Sequence, residues 1–275
     1  MSDHFSAFSF VDRITLLEPG RRARAVFAIP HDIPEFPRAL VAEAVGQLAA
    51  WVAMSKIEFR GRPVAALADE TRFHGVPRPG ETLELAVDID DCDDEAVAYG
   101  GSASIAGRLV TELEHCLGPM LPCADFDAPE ALRERFALLC AEGARPGRFR
   151  GVSLQPAVHL AHEPGRSLTA RVDVPLDAPF FADHFPRRAV FPATLMLDAQ
   201  MCLALELAAE TAASSAWTLR RMSKVKVRSF TLPGQSVELR AEAAAVEAGP
   251  LRVALSARYE GKIVSTARVE FEDGA

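Results

Sequence analysis

Two stretches of the chain are apolar at nearly every position, residues 39–54 and residues 189–213. With no polar face to show to water, each is expected to form a long buried helix rather than a surface one. Neither is expected to span a membrane. Glu43 and Gln47 interrupt the first and Asp198 and Glu206 the second, so the run of about 18 uncharged apolar residues that a span needs is not reached. Between these stretches the pattern switches to period two. Residues 24–30 and 169–175, 83–87 and 237–241, and 102–111 and 253–264 alternate as half-buried strands do, the last two folding back around Gly107 and Gly261. A helix that is apolar all round must be wrapped, and a curling antiparallel sheet does this. A short amphipathic helix is expected near residues 130–139, inside a proline-punctuated connector over residues 118–151.

These elements occur twice. Glu18-Pro19-Gly20-Arg21 returns as Glu163-Pro164-Gly165-Arg166 at a shift of 145, and the strand patterns at 24–30 and 169–175 share that shift. Pro79-Gly80 and Gly107 return as Pro233-Gly234 and Gly261 at a shift of 154. Each copy reads as a turn and strand, one long apolar helix, then three strands. The expected class is α+β, two curled antiparallel sheets each wrapped round a long apolar helix. The expected divisions are residues 1–120, a connector at 121–150, and residues 151–275.

A length of 275 residues accommodates two such halves, each with its own core. Charge is uneven: residues 1–124 hold 11 Lys and Arg against 19 Asp and Glu, whereas the remainder is balanced at 19 of each. No part is strongly basic, which argues against nucleic acid as a partner. Arg220, Arg221, Lys224, Lys226 and Arg228 cluster nonetheless, as a solvated edge strand or a docking patch for an acidic partner. The five cysteines, Cys92, Cys116, Cys123, Cys140 and Cys202, have no metal-type spacing and read as reduced thiols in a cytoplasm. The first residues, lacking a basic start and apolar run, do not read as a signal peptide.

The copies differ most just before the helix, where the shift moves from 145 to 155 and the second copy gains ten residues. That segment holds His184-Phe185-Pro186-Arg187-Arg188 and Phe191-Pro192-Ala193-Thr194, with Asp198-Ala199 following; Asp198 lies 14 residues after His184. Here the sequence resembles the hot-dog-fold 3-hydroxyacyl-[acyl-carrier-protein] dehydratases, in tandem as a double hot-dog. Their pattern is His-Phe-Pro-Gly, a second Pro-Gly at the helix start, and a Glu or Asp followed by Ala. Residues 10–14, 69–73 and 76–80 also look like strands of that family, so the resemblance spans nearly the whole chain.

The resemblance implies dehydration of a 3-hydroxyacyl thioester, on acyl carrier protein or CoA, in fatty-acid, polyketide or polyene-type synthesis, without metal or cofactor. Such an elimination needs a base for the C2 proton, an acid for the departing C3 hydroxyl, and donors at the thioester carbonyl, a role that free helix N-terminal amides fill. In that family each site takes its His from one copy and its acid from the other. His184 is therefore expected to face Glu43, which opens Glu43-Ala44-Val45-Gly46-Gln47, and Asp198 to belong to a second, degenerate site whose histidine is missing unless His31 replaces it. Pro192 and Ala193 at the helix start, with Phe185, Arg187 and Gln47, are the expected substrate contacts, Gln47 alternatively bonding Glu43 or backbone. Arg187, Ala193 and Arg38 stand where the family has glycine. Thioesterase action and a silent acyl-binding or scaffolding subunit are the competing readings, and the chain is expected to be a monomeric pseudo-dimer or a homodimer.

Overall fold

The computed structural model describes residues 4–211, 217–244 and 249–273. The outermost ends of the expected divisions, and residues 212–213 of the second apolar run, lie outside the described residues. The first half comprises β1 (Arg13–Glu18), β2 (Arg22–Ala28), α1 (Arg38–Lys56), β3 (Gly61–Pro63), β4 (Leu67–Phe73), β5 (Thr82–Cys92), β6 (Ala96–Ile105) and β7 (Arg108–Pro122). A connector carrying α2 (Pro129–Cys140) leads to β8 (Val158–Glu163), β9 (Ser167–Asp173), α3 (Ala193–Ala209), β10 (Trp217–Val227), β11 (Ser236–Ala243), β12 (Leu251–Tyr259) and β13 (Lys262–Asp273).

The strands run β1-β2-β5-β6-β7-β4-β10-β13-β12-β11-β9-β8, with β3 added on β7. This order reads the same from both ends, so the repeat seen in the sequence is a repeat of topology. Gly20 and Gly165, in the first turn of each copy, both sit at φ +67, a left-handed conformation that only glycine adopts without strain. α1 packs on β5 and β6, α3 on β11 and β12, and the two helices pack on each other. Leu40, Leu48 and Val52 of α1 and Leu207 of α3 are fully buried, each worth about 1.5–3 kcal/mol in burial. At Gly101 of β6 the helix comes so close that a Cβ would lie 2.6 Å from Val45 Cγ1 and from the Ala86 carbonyl.

Several expectations change. The two sheets are one, because β4 and β10 pair antiparallel, with Arg221 opposite Arg72 and Ser223 opposite Glu70. Each half accordingly has four long strands after its helix, not three. The fourth, β4, buries Thr71 and Phe73 and carries Glu70 and Arg72 on its other face, where they meet Arg221 of β10. The basic cluster of residues 220–228 therefore lies on a central strand and not on an edge. Arg221 sits between Glu70 (3.0 Å) and Glu270 (2.7 Å), and Arg220 pairs with Glu272. β7 continues to Pro122, where its end pairs with β3, so the connector starts slightly later than residue 120. Cys202 is exposed on α3. No helix of the described residues is long and apolar enough to cross a membrane.

Candidate active site

The ten extra residues build a cradle for one imidazole. After a single 3-10 turn (Pro179–Ala182), the His184 N–H bonds the Phe180 carbonyl at 2.9 Å, and the His184 carbonyl accepts the Val190 N–H at 3.0 Å. The ring is held from the same place, with His184 Nδ1 2.8 Å from the Val190 carbonyl oxygen. A carbonyl only accepts, so Nδ1 carries the hydrogen and Nε2 keeps its lone pair while the ring is neutral. Burial is the main cause that lowers the His184 pKa from its ordinary 6.5; the Glu43 charge opposes it and the Arg62 charge adds to it. Buried, neutral and fixed in tautomer, this imidazole is suited to accept a proton.

His184 and Glu43 line one cavity of about 210 Å³. Glu43 is on α1 and is held by both oxygens: Gln47 Nε2 donates to Oε1 at 3.0 Å, and Thr194 Oγ1, on the first turn of α3, donates to Oε2 at 2.8 Å. Gln47 also accepts the Phe10 N–H at 2.9 Å and donates to the Phe8 carbonyl. It thus ties the carboxylate to the segment over residues 5–10. That segment is fastened again by Asp183, which accepts N–H bonds from Phe5 and Phe8 and a hydroxyl bond from Ser9. Burial pushes the Asp183 pKa up, and those N–H groups pull it back. The Phe8 ring meets the His184 ring edge-on at 5.8 Å.

Ala193 and Thr194 open α3 and line the same cavity. Pro192 precedes them, its carbonyl taking the N–H groups of Leu195 and Met196, and among the described residues no acceptor takes the N–H of Ala193 or Thr194. Two donors without an acceptor thus stand at the positive end of a helix, on residues that line the cavity together with His184 and Glu43. From there a stripe of α1 (Glu43, Gly46, Gln47, Ala50, Trp51, Met54) lines the cavity. At about 1.5 Å per residue the stripe makes a groove of roughly 16 Å, apolar after its first turn and kept open by Gly46 and Ala50.

Not every expected residue is here. Phe185 and Gln47 line the cavity, whereas Pro192 and Arg187 do not. Pro192 serves as the helix cap, and Arg187 reaches away to the Ala124 carbonyl at 2.8 Å. Asp198 also lies outside the cavity. It occupies on α3 the place that Glu43 has on α1, facing the Ala39 N–H as Glu43 faces Thr194. Burial raises its pKa to about 6, reinforced by the Glu35 charge and opposed by Ala39 and Arg38. No histidine acts on it: His31 is exposed and packs over Gly80.

A stability consequence follows for Asp198→Asn. Since the folded pKa of about 6 exceeds the ordinary 3.8, the native state holds the proton more tightly, and the cost of ionising the group grows as pH rises through that window. The variant is therefore expected to gain stability relative to the parent at pH 8 but not at pH 4, read as the difference in denaturation midpoint. An equal difference at both values would show the carboxyl to be solvated.

Thr194, Arg62, Asp183 and the segment over residues 5–10 were not expected. Thr194 lies within the motif that opens the second helix, and its contrast with Ala39 at the 155-residue shift is the signal that marks it. Nothing in the spacing of Arg62 or Asp183 marks either.

The profile of the ApeI-like family, described as ApeI dehydratase, matches residues 161–268. A 3-hydroxyacyl-[acyl-carrier-protein] dehydratase FabZ from Bacillus velezensis is 36% identical over 122 residues, 40% of this chain and 86% of the relative. The FabZ of Caldicellulosiruptor saccharolyticus is 30% identical over 122 residues, 40% of this chain and 87% of the relative. The chain belongs to this hot-dog dehydratase family. Among solved structures, a protein described as an oleoyl thioesterase from Lactobacillus plantarum matches with TM-score 0.61 at 11% identity, covering 92% of this chain and 96% of that one. The 12:0-ACP thioesterase from Umbellularia californica matches with TM-score 0.51 at 14% identity, over 99% of this chain and 97% of that one. At such identities these likenesses concern the fold alone, and both extend over its two halves.

Proposed function

We propose that the chain is a double hot-dog dehydratase that converts 3-hydroxyacyl thioesters, carried on acyl carrier protein or CoA, into trans-2-enoyl thioesters at one composite site. The observation that carries the reading is the meeting of His184, Glu43 and the unpaired amides of α3 around one largely apolar cavity. The thioester carbonyl lies against the Ala193 and Thr194 N–H groups, which receive the negative charge that develops as the C2–H bond breaks. His184 Nε2 takes the C2 proton. Glu43 supplies a proton to the C3 hydroxyl, which leaves as water while the C2–C3 double bond forms. The proton on His184 then returns to Glu43 and resets the pair. Thr194 and Gln47 aim the carboxyl, and the stripe along α1 receives the acyl chain.

The Asp198 position lies outside the cavity, has no histidine beside it among the described residues, and is read as the retired counterpart. The protein is expected to act without metal or cofactor. Incubation with a 3-hydroxyacyl-CoA and spectroscopic detection of the enoyl thioester tests the reading. Enoyl product supports it; release of free CoA thiol would replace it with thioester hydrolysis, the activity named for the structural neighbours. Ligand binding with neither product would leave an acyl-binding subunit.

A further inference from the structure

β3 is a strand of three residues that pairs with the last residues of β7, and among the described residues the second half has no counterpart to it. Its middle residue is Arg62, whose guanidinium reaches the cavity. It stands 4.3 Å from the centroid of the Phe185 ring, and that ring stacks on the His184 imidazole with centroids 4.1 Å apart and planes 23° from parallel. Asp127, on the connector, fixes the guanidinium from behind at 3.5 Å; the Asp127 side chain is 2% exposed and is approached by His4 at 3.2 Å. Phe126 closes the group edge-on against Phe185 at 5.1 Å. Segments from the amino-terminal end, β3, the connector and the His184 loop thus converge on one stack.

We propose that Arg62 is a positioning residue for His184, holding the imidazole in place through the Phe185 ring and setting the lower end of the pH range in which it works as a base. This rests on the reading of His184 as the base. A guanidinium is never deprotonated in this range, so it places a permanent positive charge near a ring that would gain a second one on protonation. The charged groups facing His184 are Glu43 from α1, Arg62 from β3 and Asp183 from its own loop. The connector's Asp127 faces Arg62 from behind. Glu43 favours the imidazolium and Arg62 disfavours it, alongside the larger effect of burial. Asp183 is committed to the N–H groups of Phe5 and Phe8. Arg62 is therefore the cation that offsets Glu43. Without it the acid that the reaction needs next to the base would also tend to protonate that base.

Two measurements test this on the full chain. The first is the pH profile of kcat/KM for dehydration; the second is the NMR titration midpoint of the His184 ring, which needs no turnover. Arg62→Met keeps an apolar stem over Phe185 and removes the charge. It is expected to raise both the acid limb and the ring midpoint. Arg62→Lys keeps the charge but not the flat stack, and is expected to lower kcat while leaving the midpoint within a few tenths of a unit of the parent. Should the methionine variant fail to fold, Arg62→Gln, which retains a donor for Asp127, serves in its place. A ring midpoint unmoved in the neutral variant would overturn the inference even in an active enzyme. A midpoint that moves in a chain with no dehydratase turnover would retire the functional reading and keep the inference.

Discussion

Replacement of His184 by alanine is expected to lower kcat/KM for a 3-hydroxyacyl thioester by about 10²–10⁴-fold, the usual worth of a positioned proton-transfer group. Glu43→Gln is expected to fall in the same range, because the amide keeps the shape and the Thr194 contact but supplies no proton. The two groups perform halves of one elimination, so the double variant should lose little more than the worse single one. Asp198→Asn, altered at the matching place on the other helix, should stay within a few-fold of the parent. Steady-state kinetics on the parent and the four variants, with circular dichroism to show that each is folded, decides the matter. A Glu43→Gln variant with full turnover beside an inactive Asp198→Asn would move the chemistry to the opposite helix. Alanine at 184 leaves a gap under Phe8, so His184→Asn is the companion variant for separating lost chemistry from lost packing.

The second large effect is expected at Gly46. A Cβ built there lies 3.2 Å from the Tyr99 hydroxyl, and the residue lines the cavity one turn beyond Glu43. Gly46→Leu therefore fills the groove past the reacting carbons. A 3-hydroxybutyryl substrate does not reach that far and should be turned over within a few-fold of the parent rate. A 3-hydroxydecanoyl substrate loses burial of its outer methylenes, each worth about 0.8 kcal/mol or roughly fourfold in binding, giving about a 10³-fold change in the ratio of kcat/KM values. Equal losses for both substrates would show that the acyl chain does not run along α1.

The parts legible in the sequence were those governed by periodicity and by glycine. The apolar runs became α1 and α3, and the turns at Gly20 and Gly165 came through as paired. His184 and Glu43 were drawn together by motif and resemblance, and they share a cavity. Residues 69–73 read as a strand by resemblance, but the pairing of β4 with β10 was hidden, because Arg72, Glu70 and Arg221 meet there through charge. Short-range pattern says little about contacts between remote charged residues, and the same reason conceals Arg62. Thr194 illustrates a different gap. Its role depends on the distance between two helices, and no local rule contains that distance.

The seam between β4 and β10 bears on how such a molecule changes over time. In an assembly of identical subunits every substitution is made twice, so an insertion that improves one reaction chamber is imposed on the other as well. Here the two partners are joined by peptide bond and share a continuous ladder of hydrogen bonds. Dilution has no way to part them, and each is free to drift on its own. One partner carries ten further residues before its helix, which hold an imidazole, while the other lacks that length and carries the acid.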